Sequence, residues 1–230
     1  MNTIELAYEQ VKRRIDEACE RSNRNPDEVQ MVAVTKYSTL ETTKAALDAG
    51  LLHLGESKVQ DAVPKWEQLG ERGIWHFIGH LQTNKVKNII GRFPYVHSLD
   101  RESLALELQK WGKKENVVTK CFVQVNVSGE SSKFGIDSKE VLEFVKKTSK
   151  MSNIEIFGLM TMAPFVVDPE EARPVFRRLK ELQLEVQNLN LPNVSALHLS
   201  MGMSNDFDVA VEEGATFIRL GSVLVGQELK

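Results

Sequence analysis

The chain has 230 residues, 42% hydrophobic and 27% charged, an ordinary globular make-up with enough apolar side chains for a substantial core. A formal charge of −3 and an isoelectric point near 6.0 provide no whole-chain attraction for nucleic acid or an anionic membrane. No apolar run reaches membrane-spanning length and Met1-Asn2-Thr3-Ile4-Glu5-Leu6 lacks the basic, apolar start of a secretory leader, so a cytoplasmic protein is expected. Cys19 and Cys121 stand far apart without the paired spacing of a zinc site or redox dithiol, and both read as reduced, inert thiols.

An amphipathic helix is expected from about Asn2 to Ser22, with Ala7, Val11, Ile15 and Ala18 at one-turn spacing, and its expected place is across the bottom of the fold. From residue 30 onward short β-rich runs alternate with helical patterns, the signature of βα units around a parallel sheet. The expected strands are Gln30 to Val34, Leu51 to Leu54, Trp75 to Ile78, Tyr95 to Ser98, Thr119 to Val125, Ile154 to Leu159, Ala196 to Leu199 and Phe217 to Leu220. Between the first two, Ser38 with Glu41 three residues on reads as a capping box and Gly50 as the helix stop. Leu104, Leu108 and Trp111 mark a helix after the fourth strand. Val175, Leu179, Leu182, Val186 and Leu189 mark a longer one, whose start is either Asp168-Pro169 or a point nearer Pro174. Eight strands, each followed by a helical segment, predict an α/β fold: a single (β/α)₈ TIM barrel preceded by an N-terminal helix, one domain over 1–230. A doubly wound open sheet is the rival, but it commonly carries a glycine-rich first turn, which Thr35-Lys36-Tyr37-Ser38 is not.

In a barrel the chemistry sits at the carboxyl ends of the strands, which directs attention to Lys36. An amine at the end of Val32-Ala33-Val34-Thr35-Lys36 suits Schiff-base formation with an aldehyde, although a solvated strand end fits the same pattern. Barrels often bind phosphate through the loops after strands seven and eight, and here those loops are Ser200-Met201-Gly202-Met203-Ser204 and Gly221-Ser222. Their hydroxyls and glycine backbone suit an anion, and they also suit ordinary turns. Strand alternation gives Arg219 the same facing as Gly221. A buried arginine needs an acceptor, either the ring nitrogen of a bound cofactor or an internal carboxylate. His76 and His80 straddle a strand end rather than one helical face, which argues against a metal and leaves His76 packing or hydrogen-bonding near the barrel interior. Glu56 and Ser57 could supply polar contacts from the second loop. Asn84, Lys85, Lys87 and Arg92 form a modest basic segment, ordinarily a solvated helix face.

The blocks Ala33-Val34-Thr35-Lys36, Gly55-Glu56, Trp75-His76-Phe77-Ile78-Gly79-His80-Leu81-Gln82-Thr83-Asn84-Lys85, Gly158-Leu159-Met160, Ser200-Met201-Gly202-Met203-Ser204 and Arg219-Leu220-Gly221-Ser222 together resemble the pyridoxal-phosphate homeostasis proteins, in order and over nearly the whole chain. The resemblance implies a barrel like the amino-terminal domain of alanine racemase, with pyridoxal 5′-phosphate covalent on Lys36 as an internal aldimine. It further implies phosphate contacts from Ser200, Ser204, Gly221 and Ser222, Arg219 facing the pyridine nitrogen, and a cofactor site extended by His76, Met160, Met201, Gly202 and Ser57. Ser57 departs from the asparagine common after Gly-Glu in that family, and His80 stands where a smaller or different residue is frequent.

The expected role is vitamin B6 homeostasis rather than catalysis: Lys36 holds the reactive aldehyde reversibly and buffers or delivers it. An alanine racemase of this architecture carries a second β-domain, for which a chain ending at Lys230 has no room, and an arginine at the ring nitrogen weakens the electron sink. The competing readings are an amino-acid racemase using Lys36 and Tyr37 for proton transfer, and a sugar-phosphate barrel enzyme using Lys36 for a substrate Schiff base. The expected partners are pyridoxal phosphate itself and, transiently, pyridoxal-phosphate-dependent apoenzymes; the chain is expected to be monomeric, with no membrane or nucleic acid involved.

Overall fold

The computed structural model describes residues 3–130 and 134–226. Eight parallel strands close into a ring: β1 (Gln30–Val34), β2 (His53–Glu56), β3 (Ile74–Phe77), β4 (Tyr95–Leu99), β5 (Thr119–Asn126), β7 (Ile154–Met160), β8 (Val194–Ser200) and β9 (Phe217–Leu220). The pairing of β4 with β5 and of β9 with β1 closes the ring and excludes the open-sheet alternative. A two-residue strand absent from the sequence expectation, β6 (Ile136–Asp137), pairs with the tip of β5 outside the ring.

The helices on the wall follow the sequence pattern with small shifts. α2 (Leu40–Asp48) is capped by Thr39, whose hydroxyl accepts from the Thr42 N–H, one residue later than the Ser38 cap expected. Its far end closes through Gly50 N–H to Leu47 O and Leu51 N–H to Ala46 O. That closure consumes Leu51, so β2 runs from His53 to Glu56 rather than from Leu51 to Leu54. α3 (Val59–Leu69) and the short α4 (Val86–Ile89) follow, then α5 (Glu102–Glu115), which buries Leu104 and Leu108, and α6 (Val141–Thr148). Both proposed starts of the next helix are used: Asp168 caps a 3-10 turn at Pro169–Ala172, and α7 (Arg173–Gln187) begins beyond it with Pro174 in its first turn, where a missing N–H costs nothing.

α8 (Phe207–Glu212) is short and α9 (Ser222–Val225) is shorter. α1 (Thr3–Ser22) compensates for that thin sector; of the helix expected there, Asn2 lies outside the described residues. It buries Val11, Ile15, Ala18 and Cys19 and packs on α8, α9 and α2. Because α9 begins at the carboxyl end of β9, a helix that touches it lies on the side wall, not across the bottom as expected. Ion pairs Arg14–Asp208 and Arg21–Glu212 tie α1 to α8.

Two apolar layers result. Residues on one face of the strands, such as Ala33, Leu54, Ile218 and Leu220, pack against the helices. The opposite face fills the ring with Val32, Phe122, Met160 and Phe217. Cys19 and Cys121 are buried free thiols, each pushed up from the ordinary thiol value, first of all by burial.

Candidate functional site

At the carboxyl ends of the strands opens a cavity of about 520 Å³, within the range of roughly 300–1,000 Å³ typical of cofactor pockets. Of the residues singled out in the sequence, Lys36, Ser57, Ser204, Arg219, Gly221 and Ser222 line it. His76, Met160, Ser200 and Met201 do not; each is buried, Met201 in the layer under the helices and the other three inside the ring.

Lys36 leaves β1 in a tight turn, with Ser38 N–H donating to Thr35 O at 2.9 Å. The backbone before it is held by a cluster that sequence reasoning did not find. Lys65 of α3 donates from Nζ to Thr35 O at 2.6 Å and to Glu56 Oε1 at 2.8 Å, and the Thr35 hydroxyl donates to the same carboxylate oxygen at 2.7 Å. Glu56 therefore faces the wall and anchors the turn, while its neighbour Ser57 faces the cavity. The second oxygen of Glu56, Oε2, is buried without a partner among the described residues. Lys36 itself is half-buried, its Nζ 5.0 Å from the centre of the Tyr37 ring.

The loop after β3 presses on the Ser57 backbone. A Cβ on Gly79 would lie 2.3 Å from Ser57 O and 2.7 Å from Ser57 Cα, so only glycine fits. Gly79→Ala should displace the loops bearing Ser57 and His80, destabilise the protein by about 1–3 kcal/mol and weaken ligand binding in the cavity. Thermal unfolding and a ligand titration of this variant check both effects; a variant matching the parent in both would contradict the contact.

Gly202 shows the same logic in the loop after β8. It has φ +91°, and an added Cβ would sit 2.6 Å from Ala210 Cβ, so the loop lies directly on α8. Its carbonyl accepts from the Arg219 N–H at 3.0 Å, which ties this loop to β9. Beyond it Met203 N–H donates to Asp206 Oδ1 at 2.6 Å, forming the turn that offers Ser204 to the cavity. The Asp206 carboxyl is pushed up by burial, against the opposing pull of the Met203 N–H and Arg219.

Arg219 is 5% exposed, and burial pushes its guanidinium down to about 10. Nη1 donates to Ser200 Oγ at 2.5 Å and Nη2 to Thr161 O at 2.9 Å. Among the described residues no carboxylate lies within ion-pair distance, and Asp206 acts on it only through space. The internal carboxylate considered from sequence is therefore replaced by two neutral oxygens.

Behind Ser200 lies a further row, with neighbouring nitrogen and oxygen atoms 2.8 Å apart at each step: His97 Nδ1 to Ser200 Oγ, His76 Nδ1 to His97 Nε2, and His53 Nδ1 to His76 Nε2. His76 stacks on Tyr95 at 4.4 Å and His97 on Phe122 at 4.3 Å. Both imidazoles are held well below the ordinary histidine value, first by burial, then by Arg219 in the case of His97, and by the neighbouring histidines, whose protonation each would oppose. His80, by contrast, lines the cavity, stacked on Phe134 and 3.5 Å from Asp100. Phe134, in the connection between β5 and β6, and Met162 and Phe165, in the long β7–α7 connection, form an apolar lip and carry no sequence motif.

A closed parallel barrel with an amine and two polar loops at one mouth defines a class, and the family description "Alanine racemase, N-terminal domain" matches residues 7–228. The alanine racemase of Clostridium difficile 630 shares this fold with a TM-score of 0.73 at 12% identity, over 100% of this chain and 57% of that one. More specifically, the chain belongs to the pyridoxal phosphate homeostasis protein family. The member from Aquifex aeolicus is 42% identical over 228 residues, 99% of each chain, and that of Escherichia coli K12 is 32% identical over 98% of this chain and 97% of its own. Among solved structures, PipY of Synechococcus elongatus with PLP bound superposes with a TM-score of 0.80 at 30% identity, covering 93% of this chain and 100% of that one.

Proposed function

We propose that this chain binds pyridoxal 5′-phosphate covalently through Lys36 Nζ and buffers or delivers it as part of vitamin B6 homeostasis. The observation that carries the reading is the convergence of Lys36, Ser204, Gly221, Ser222 and Arg219 on one cavity of cofactor size. The donor set fits the group: an amine for an aldehyde, hydroxyls and a glycine backbone for a phosphate, and a cation whose protein acceptors are neutral oxygens. The names of the relatives and the PLP-bound PipY support it.

When bound, pyridoxal phosphate supplies an aldehyde that condenses with an amine and a ring that delocalises carbanion charge. The chain's own residues bind and orient. Lys36 provides the nucleophilic amine from a turn fixed by Lys65 and Glu56. Ser204, Ser222 and the Gly221 backbone take the phosphate, and the apolar lip of Phe134, Met162 and Phe165 keeps water from the ring. Arg219 takes the ring nitrogen and, being cationic, disfavours a proton there. Carrier function is favoured over racemization because Tyr37, the second proton-transfer group that a racemase would need, is 58% exposed and does not line the cavity. The exposed Phe165 beside the mouth supports transient contact between a monomeric carrier and recipient apoenzymes in the cytoplasm.

The test is a visible spectrum of protein purified with pyridoxal phosphate, then borohydride reduction and peptide mass mapping. A reduced adduct on the Lys36 peptide is expected, with none in Lys36→Ala. The same adduct retained by the variant overturns the assignment, and robust α-proton exchange on a free amino acid favours the racemase.

A further inference from the structure

The row from Arg219 through Ser200, His97 and His76 to His53 crosses the interior of the ring from the cavity toward the opposite end of the strands. Every link is within hydrogen-bond distance, and aromatic faces of Tyr95, Phe122 and Phe217 enclose the two central imidazoles. Three neutral imidazoles placed edge to edge inside an apolar barrel are more than packing requires, because each must match a donor to an acceptor or leave a buried nitrogen unsatisfied. No part of the ligand reading uses His53, His76 or His97.

The direction of the row is fixed by its one member that cannot accept. A guanidinium only donates, so the Ser200 oxygen accepts from Arg219; among the described residues His97 Nδ1 is the one acceptor within reach of its own hydrogen, so the buried hydroxyl is satisfied by donating there. His97 then carries its proton on Nε2 and donates it to His76 Nδ1, and His76 in turn carries its proton on Nε2 and donates it to His53 Nδ1. The groups that act on His97 are Arg219 first and then His53, and the groups that act on His76 are His97 and His53.

We propose that Ser200, His97, His76 and His53 form a one-way hydrogen-bond line, its tautomers set by Arg219, that positions the Arg219 guanidinium in the cavity. The members are positioning residues: they act through Arg219 and touch no ligand. Nη1 held by Ser200 and Nη2 held by Thr161 O leave the guanidinium one orientation, and the row behind Ser200 keeps that oxygen turned toward Nη1. The effect on bound pyridoxal phosphate rests on the function proposed above; the tautomer order does not.

The two parts are tested separately. Nitrogen-15 NMR of histidine-labelled, ligand-free protein at pH 7.5 should show His97, His76 and His53 each protonated on Nε2 only. A proton on Nδ1 of His97 or His76, or an imidazolium at either, overturns the line. For the second part, bound pyridoxal phosphate is monitored by its visible absorption in parent protein, His76→Phe, His76→Gln and, as a control off the line, His198→Gln. The absorption maximum should shift in His76→Phe, return in His76→Gln, whose amide both accepts and donates, and stay put in His198→Gln. An unshifted maximum in His76→Phe refutes the positioning role, since a merely structural loss lowers the melting temperature without moving the spectrum. If the parent takes up no pyridoxal phosphate, the function proposal fails while the NMR result still decides the line; if His76→Phe does not fold, Ser200→Ala, which removes the oxygen that holds Nη1, takes its place, and an unshifted maximum there refutes the positioning role.

Discussion

Lys65→Met is expected to destabilise the protein by about 3–5 kcal/mol, because it strands the Glu56 carboxylate in the wall with no counter-charge. Both partners are buried, and the carboxylate already has one oxygen without a partner. Removing Nζ also releases Thr35 O, the carbonyl that directly precedes Lys36. Two losses should therefore appear together: a lower urea midpoint and, on the proposed function, a slower, incomplete attachment of pyridoxal phosphate at Lys36. Replacing both partners with apolar residues, as in Glu56→Leu with Lys65→Met, should recover most of the stability, since no buried charge is then left unpaired. It should not recover attachment, because the clamp on Thr35 O is still missing. Chemical denaturation of the two single variants and the double variant separates these effects, and a Lys65→Met protein as stable as its parent would show that the pair contributes nothing.

Acidification from pH 7.5 to 5 is expected to cost about 3–4 kcal/mol through the two fully buried imidazoles alone, a large share of the roughly 5–15 kcal/mol that holds a domain together. His76 and His97 are kept neutral in the fold by burial first, with added repulsion from Arg219 and from neighbouring histidines. In the unfolded chain the same groups titrate near the ordinary value of about 6.5. Above that pH neither state binds the proton, and the fold is unpenalised. Below it the unfolded state takes up protons that the folded state refuses, so stability falls as pH falls, by about 1.4 kcal/mol per pH unit for each group. Urea midpoints at pH 7.5, 6 and 5 measure this slope above the range in which ordinary carboxylates titrate; the raised Asp206 carboxyl acts with the opposite sign. His97→Gln, whatever its stability at pH 7.5, should show a shallower slope, with His76 and the less deeply buried His53 and His198 supplying what remains. A parent midpoint constant over this window would mean that the two rings are not held neutral.

The strand-by-strand expectation worked because a parallel barrel strand, covered on both faces, is a short apolar run between polar turns, and such runs are visible one at a time. Gln30–Val34 and Phe217–Leu220 form where they were expected. Errors fell at boundaries decided by competition between neighbours: Ser38 gave way to Thr39 as a cap, and Leu51 went to the end of α2 instead of to β2. The placement of α1 was misjudged because an amphipathic stripe says that a face is buried without saying against what. The same limit divided the candidate site. Strand-end and loop residues such as Lys36, Ser204 and Ser222 face the cavity, whereas His76 and Ser200, drawn from equally distinctive motifs, turn into the ring. Lys65 and His97 belong to no motif, and their roles come from partners 9 to 103 residues away in sequence.

By itself, the order of residues determined the alternation of strand and helix, the barrel class and the strand ends at which polar chemistry is exposed, because periodicity and turn composition act over a few neighbouring residues. Only the closed ring decided which polar groups meet: that Lys65 fixes the turn before Lys36, that Arg219 rests on neutral oxygens, and that three histidines stand in line behind Ser200. The physical reason is that a buried polar atom must find its partner across the barrel, and that distance is set by the curvature and register of all eight strands together.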